Sequence, residues 1–315
     1  MTRVRRAAAW LAALAVCAVA LEGMLRAIFG LGHPLLYAGD AASGYIPRPN
    51  QQLRRFGATI RINAYGMRSG AVAATPAPDR LRLLFIGDSV TFGTTYVDQA
   101  QIFTERLQAD FGRWHGRTLE VLNASAGGWA PANEYGYLRS RGCFGASLVL
   151  LVLNTNDLDQ PFAPLEESPA FPRANPGLAI GEFWFRYLAP HLGLTPAAAD
   201  AGSMPESAPD ARASAAVLAS LEAARRVTLS QGARFALVYS PSAQAQLHNA
   251  AWQAQVAALK RWANAAQVPL IDLSDAFRRY PASAVYFDGL HLRPLGHQLA
   301  EQAIAERLAG GLLEP

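Results

Sequence analysis

Ser89, Asp288 and His291 are the residues of this chain whose types and spacing suit nucleophilic acyl chemistry. Ser89 follows Leu83-Leu84-Phe85-Ile86-Gly87-Asp88, a short apolar run that breaks abruptly into a small-residue turn. Such a run fits a parallel strand covered on both faces. The serine then stands at the carboxyl end of a strand and the start of a helix, where open α/β sheets place ligands and free N–H groups favour negative charge. Taken alone, the pattern favours a helix-capping serine over a nucleophile, and partners elsewhere in the chain must supply the case for chemistry. Asp288 and His291 sit three residues apart in a turn that leads into a C-terminal helix. That spacing lets a carboxylate accept a hydrogen bond from the imidazole Nδ1–H while Nε2 faces elsewhere. A serine nucleophile needs such a base, a carboxylate to orient it, and donors where an oxyanion develops.

The elements that must position these residues alternate. Phe103, Leu107 and Phe111 recur at helical spacing, and Leu119-Glu120-Val121-Leu122 reads as the next strand, ending in the loop from Asn123 to Trp129. A helix over 131–141 and an apolar strand over 147–153 follow, the strand ending in Asn154-Thr155-Asn156-Asp157. Beyond them come a helix over 212–230, a strand over 234–239, a helix marked by Trp252, Val256, Leu259 and Ala263, and a strand over 269–273. This order predicts a three-layer α/β/α sandwich around a five-stranded parallel sheet. The proline-rich stretch at about 158–210 interrupts it, with Phe183-Trp184-Phe185 and Tyr187 forming a lid, a surface against a membrane or a small satellite core.

The loops after the first three strands, together with the Asp-x-x-His block, resemble the SGNH, or GDSL, hydrolase superfamily in the expected order, from about Leu81 onward. The resemblance implies a flavodoxin-like α/β fold, Ser89 as nucleophile, and Asp288 and His291 as its acid and base. It also implies an oxyanion hole made by the N–H groups of Ser89 and Gly128, rather than Gly127, and the Asn156 amide. Asn154 stands where a glycine is common in the family, a change expected to alter loop shape more than chemistry. Asp88, Asp157 and Asp159 are read as structural. His33, His115, His191 and His248 lack carboxylates at useful spacing and are read as surface or packing residues, and His297 as structural. No HExxH-type spacing occurs, so neither metal nor cofactor is expected.

Arg3, Arg5 and Arg6 precede an apolar stretch that runs from Ala7 to Leu21 and resumes to Phe29, long enough to span a bilayer. We read it as an uncleaved signal-anchor with the arginines cytoplasmic and the rest extracytoplasmic, in the periplasm. Cleavage after Ala18-Val19-Ala20 is the alternative. The expected organisation is a membrane helix over 1–30, a small β-rich appendage over 31–79 and a catalytic domain over 80–315 carrying the insert. Asn63-Ala64-Tyr65-Gly66-Met67-Arg68 resembles a segment that precedes the catalytic domain in many membrane-anchored bacterial members. Cys17 and Cys143 are the two cysteines, one expected in the membrane and one buried, so no intrachain disulfide is expected.

The net charge of +4 rests on scattered arginines, Lys260 being the sole lysine, and no basic stripe suggests a nucleic-acid groove. The resemblance implies a serine esterase acting on acyl esters, O-acetyl esters above all, and the aromatic insert favours esters borne by a cell-envelope or exported glycan. Trp129 and Trp184 are expected to bind the sugar, since aromatic faces stack on sugar rings. An O-acyltransferase would use the same residues, and a silent carbohydrate-binding relative is a third reading that the intact Ser89, Asp288 and His291 disfavour.

Overall fold

The computed structural model describes residues 2–114, 116–166, 170–194, 211–243 and 250–313; His115, His248 and part of the insert lie outside them. Helix α1 (Thr2–Phe29) comes first, followed by two antiparallel hairpins, β1 (Tyr37–Asp40) with β2 (Gly44–Pro47) and β3 (Gln51–Arg55) with β4 (Ala58–Ile62). The main sheet is then laid down by β5 (Arg80–Gly87), β6 (Arg113–Trp114), β7 (Arg117–Ser125), β8 (Leu148–Asn154), β9 (Arg234–Ser240) and β10 (Leu270–Asp272). Its spatial order is β10-β9-β8-β5-β7-β6, parallel throughout except for β6, which pairs antiparallel with β7. The sheet is thus one two-residue edge strand larger than the five parallel strands expected. Arg113-Trp114 carries no apolar run, and only the pairing of Arg113 with Thr118 and of Trp114 with Arg117 makes it a strand.

Helices α2 (Ser89–Phe92), α3 (Phe103–Phe111), α4 (Pro131–Arg141), α5 (Ala179–Glu182), α6 (Ala189–His191), α7 (Ala211–Ser230), α8 (Ala250–Ala265), α9 (Ser274–Phe277), α10 (Ala282–Val285) and α11 (Pro294–Arg307) connect the strands. Side chains alternate across a strand. Leu84 and Ile86 therefore join one core, packed with residues of α4, α7 and α8, while Leu83 and Phe85 join the other, packed with α3, α9, α10 and α11. Burial on both faces explains why β5 and β8 read as continuous apolar runs.

Parallel register sets the three functional loops side by side. Gly87 pairs with both Ser125 and Val152, so β5, β7 and β8 end at the same edge of the sheet. The hairpins do not form a separate body, because Tyr37, Tyr45, Ile46, Ile60 and Ile62 belong to the same apolar core as Leu84 and Leu151.

Candidate active site

Ser89 opens α2 directly behind Gly87 and Asp88. The Asp88 carboxylate caps that helix by accepting the Val90 N–H at 2.9 Å, and accepts the Ser89 hydroxyl at 3.1 Å. Ser89 Oγ is also 2.9 Å from His291 Nε2, and His291 Nδ1 is 2.5 Å from Asp288 Oδ2. Residues 202 positions apart thus meet in one hydrogen-bonded chain. Asp288 is held in place by the N–H groups of Leu290 (3.0 Å) and His291 (2.8 Å), both donating to Oδ1. Gly289, at φ +90°, lets the backbone turn tightly enough to make those bonds. Partial burial opposes the Asp288 charge, but the His291 ring and these N–H groups outweigh it and hold the carboxyl down at about 2. The arrangement can accept a proton from Ser89 while Asp288 stays ionised.

The second loop follows β7. Gly128 adopts φ +74°, and the Tyr45 hydroxyl donates to the Gly127 carbonyl at 2.6 Å, so a hairpin residue props this loop. Gly127 lines the cavity in front of Ser89. Among the described residues, the Gly128 N–H finds no backbone acceptor.

The third loop is held by Asn154. This buried side chain donates to Asp88 Oδ2 at 2.7 Å and accepts the Asn156 N–H at 2.6 Å, tying the Asn156 turn to the Ser89 turn. Its own N–H is taken by Asp157 Oδ2 at 2.7 Å. Asn154 therefore does more than shape a loop: among the described residues it is the one side chain that bonds both Asp88, which caps the Ser89 helix, and the backbone of Asn156. Asn156 itself is buried, with a side-chain oxygen that has no partner. Beneath these loops Asp88, Asp157 and Glu134 are all fully enclosed, and burial pushes each carboxyl up; their mutual repulsion raises Asp157 and Glu134 further.

The cavity has a volume of about 610 Å³. One wall comes from the hairpins and the start of the insert (Tyr37, Phe171), another from Tyr96 and Phe287, and a third from the π-helical turn Phe183–Leu188. Two aromatic expectations fail here. Trp129 is 0% exposed, donates its indole N–H to the Tyr45 carbonyl at 2.8 Å and packs against Tyr137, so it belongs to the core and cannot touch a substrate. Trp184 is 41% exposed and lies off the cavity wall; its neighbours Phe183, Arg186 and Tyr187 form that wall instead. His191, read from the sequence as a surface or packing residue, stands at the cavity rim.

Arg68 was legible as part of a motif but not in its role. It is buried, donates to the carbonyls of Phe92 (2.7 Å), Thr94 (2.6 Å) and Val97 (2.6 Å), and stacks over the Phe92 ring. It thereby clamps the segment that leaves the Ser89 helix and forms one side of the cavity. Burial pulls its guanidinium down to about 9. The Asn63 side chain accepts the N–H groups of Tyr65 and Met67, forming the turn that delivers Arg68.

A doubly covered parallel sheet with a serine, a histidine and an aspartate at its carboxyl edge defines the class, an α/β ester hydrolase. The GDSL-like lipase/acylhydrolase family model matches residues 85–299, more than half of the chain, and the chain belongs to that family, a branch of the SGNH hydrolases. No curated protein matches it. Similar solved structures include a lipolytic G-D-S-L family protein from Veillonella parvula, 13% identical, covering 73% of this chain and 98% of its own, with a TM-score of 0.46. TesA is 16% identical over 73% of this chain and 99% of its own, TM-score 0.49. A mutant of Axe2, an acetyl-xylooligosaccharide esterase from Geobacillus stearmophilus, is 13% identical over 72% and 94%, TM-score 0.46.

Proposed function

We propose that Ser89 is the nucleophile of this ester hydrolase, with His291 as general base and Asp288 as the carboxylate that orients it. The observation that carries the reading is the continuous chain from Ser89 Oγ through His291 to Asp288 at the mouth of the cavity. In this scheme His291 Nε2 takes the Ser89 proton as Oγ attacks the ester carbonyl. The tetrahedral oxyanion is held by the N–H groups of Ser89 and Gly128 and by the Asn156 amide. His291 then protonates the leaving alcohol, and water, activated by the same imidazole, releases the acid and frees Ser89.

The substrate in this reading is an acyl ester, an O-acetyl ester in particular, on a cell-envelope or exported glycan. Support comes from a cavity walled by Tyr37, Tyr96, Phe171, Tyr187 and Phe287, whose rings offer stacking faces, rather than by a continuous aliphatic channel. We further propose that residues 1–30 anchor the enzyme in the inner membrane and that the body, 31–79 joined to 80–315, lies on the extracytoplasmic side. Helix α1 is long and apolar enough to cross a bilayer, which suits an anchor or a signal helix. The deciding experiment combines a serine-directed phosphonate with a short activated acetate ester. Wild-type protein should be labelled at Ser89 and hydrolyse the ester, and Ser89→Ala should do neither; labelling that persists in Ser89→Ala would sink the assignment.

A further inference from the structure

The last turns of α1 are bonded to the stretch of the insert that leads into the cavity wall. Glu22 accepts the N–H groups of Ala179 (2.9 Å) and Ile180 (3.0 Å), the first residues of α5, and Arg26 donates to the Gly177 carbonyl at 3.1 Å. Two residues further along the insert, Glu182 accepts the Gly32 N–H at 2.6 Å and pairs with Arg55 at 2.6 Å, both side chains nearly fully buried. Leu25, Leu31 and Ala179 form a small apolar core there, against which Phe183 and Tyr187 pack. Two of the rings that wall the cavity, Phe183 and Tyr187, are therefore packed on the base of α1.

Outside this core the same segment presents apolar side chains to solvent. Phe29, Leu178, Trp184, Phe185, Leu192 and Leu194 are 39% to 64% exposed, an unusual concentration of large apolar groups for a water-facing surface. The part of α1 before Glu22 is also exposed and leaves the body. Where that part crosses a bilayer, Glu22 comes to the level of the headgroups. The headgroup layer is about 5–7 Å deep on each side of the hydrocarbon, and a helix with its side chains is about 10 Å across. A segment bonded to Glu22 thus lies within reach of that layer. Tryptophan, tyrosine and arginine in one short stretch suit such a boundary, with apolar rings towards the acyl chains and polar groups towards water.

We propose that residues 178–194 form a membrane-contact surface that rests in the headgroup layer beside α1, so that the catalytic cavity is held at the bilayer surface and takes substrate presented there. The proposal rests on reading α1 as a membrane span. It gives Trp184 and Phe185 lipid as their partner, in place of substrate.

Spin labels on the full chain in lipid nanodiscs test both layers. One protein is labelled at the native Cys17, within α1. A second carries Cys17→Ser with Phe185→Cys, a third Cys17→Ser with Leu192→Cys, and a fourth Cys17→Ser with Glu306→Cys as an aqueous control; Cys143 is buried, and Cys17→Ser alone serves as the labelling blank. Collision rates with oxygen, which partitions into lipid, and with a water-soluble nickel chelate are compared. The expected result is a several-fold higher oxygen-to-nickel ratio at 185 and 192 than at 306, and a still higher ratio at Cys17. A lipid signal at Cys17 with a control-like ratio at 185 and 192 would overturn the contact surface and leave the span intact. A water signal at Cys17 would overturn both. Labels at 185 shielded from both reagents and dipolar-coupled to one another would show a second copy of the chain on this face, and would likewise overturn the proposal.

Discussion

Replacing Asn154 by alanine should damage stability and catalysis together. The substitution takes away the amide that donates to Asp88 Oδ2 at 2.7 Å and the oxygen that accepts the Asn156 N–H at 2.6 Å. Both partners are buried. A buried polar group left unsatisfied costs about 1–3 kcal/mol. Asp88 keeps the Ser89 hydroxyl and the Val90 N–H, so its share falls at the low end, about 1 kcal/mol, and the sum is about 2–4 kcal/mol. Two effects should follow on the reaction. Asp88, short of a donor, draws the Ser89 hydroxyl away from His291, and Asn156 loses the bond that fixes its turn. Loss of one oxyanion donor sets the scale, roughly 10²–10³ in kcat. Urea unfolding measures the first quantity and steady-state hydrolysis of a soluble acetate ester the second. Asn154→Gly should behave like the alanine variant, because the missing amide and not the backbone is at fault. A stability change below about 0.5 kcal/mol, the range of an ordinary surface substitution, with unaltered kcat, would refute the bridging role of Asn154.

Asp288→Asn should lower kcat by on the order of 10⁴ while leaving the thermal midpoint close to wild type, since an amide can present N–H to Nδ1 and favour the wrong imidazole tautomer; a loss of less than tenfold would make the 2.5 Å contact structural rather than functional. His297 gives a pH test of stability. It is fully buried against Phe103, accepts the Phe103 N–H, and burial pulls its imidazole down from 6.5 to about 3. The unfolded chain therefore binds a proton below pH 6.5 that the folded chain refuses, and stability contributed by the neutral ring is present above 6.5 and lost as pH falls towards 3. At pH 5 the loss is about 2 kcal/mol. His297→Gln should remove that part of the slope between pH 7 and 5 in denaturant titrations, and an unchanged slope would show that His297 does not titrate on unfolding.

The order of strands and helices was legible because parallel strands buried on both faces must be apolar throughout, as in β5 and β8, and because turn residues must punctuate them. The candidate site residues were legible for a related reason: Ser89, Gly128, Asn156, Asp288 and His291 all lie in short loops at strand ends or before a helix, where motif order survives as a linear pattern. Edge strand β6 was not, since two residues carry no periodicity and exist as a strand only by pairing with β7.

What the sequence by itself determined is the class of fold, the family and the candidate set of polar residues, because these follow from local apolar runs and from motifs read in order. Tertiary structure alone decided which aromatic rings meet the cavity. Trp129 and Trp184 look alike as exposed, sugar-facing candidates in a linear reading, yet one is sealed in the core by Tyr45 and Tyr137 and the other is exposed without lining the cavity. Likewise Arg68 reads only as the end of a motif without a role until the chain folds it under Phe92, Thr94 and Val97, and Asn154 as a departure from a glycine until its amide meets Asp88. The physical reason is common to all four. Burial and hydrogen-bond partners are properties of segments brought together from far apart in the chain, and no spacing within a single loop encodes where a side chain from another loop will stand.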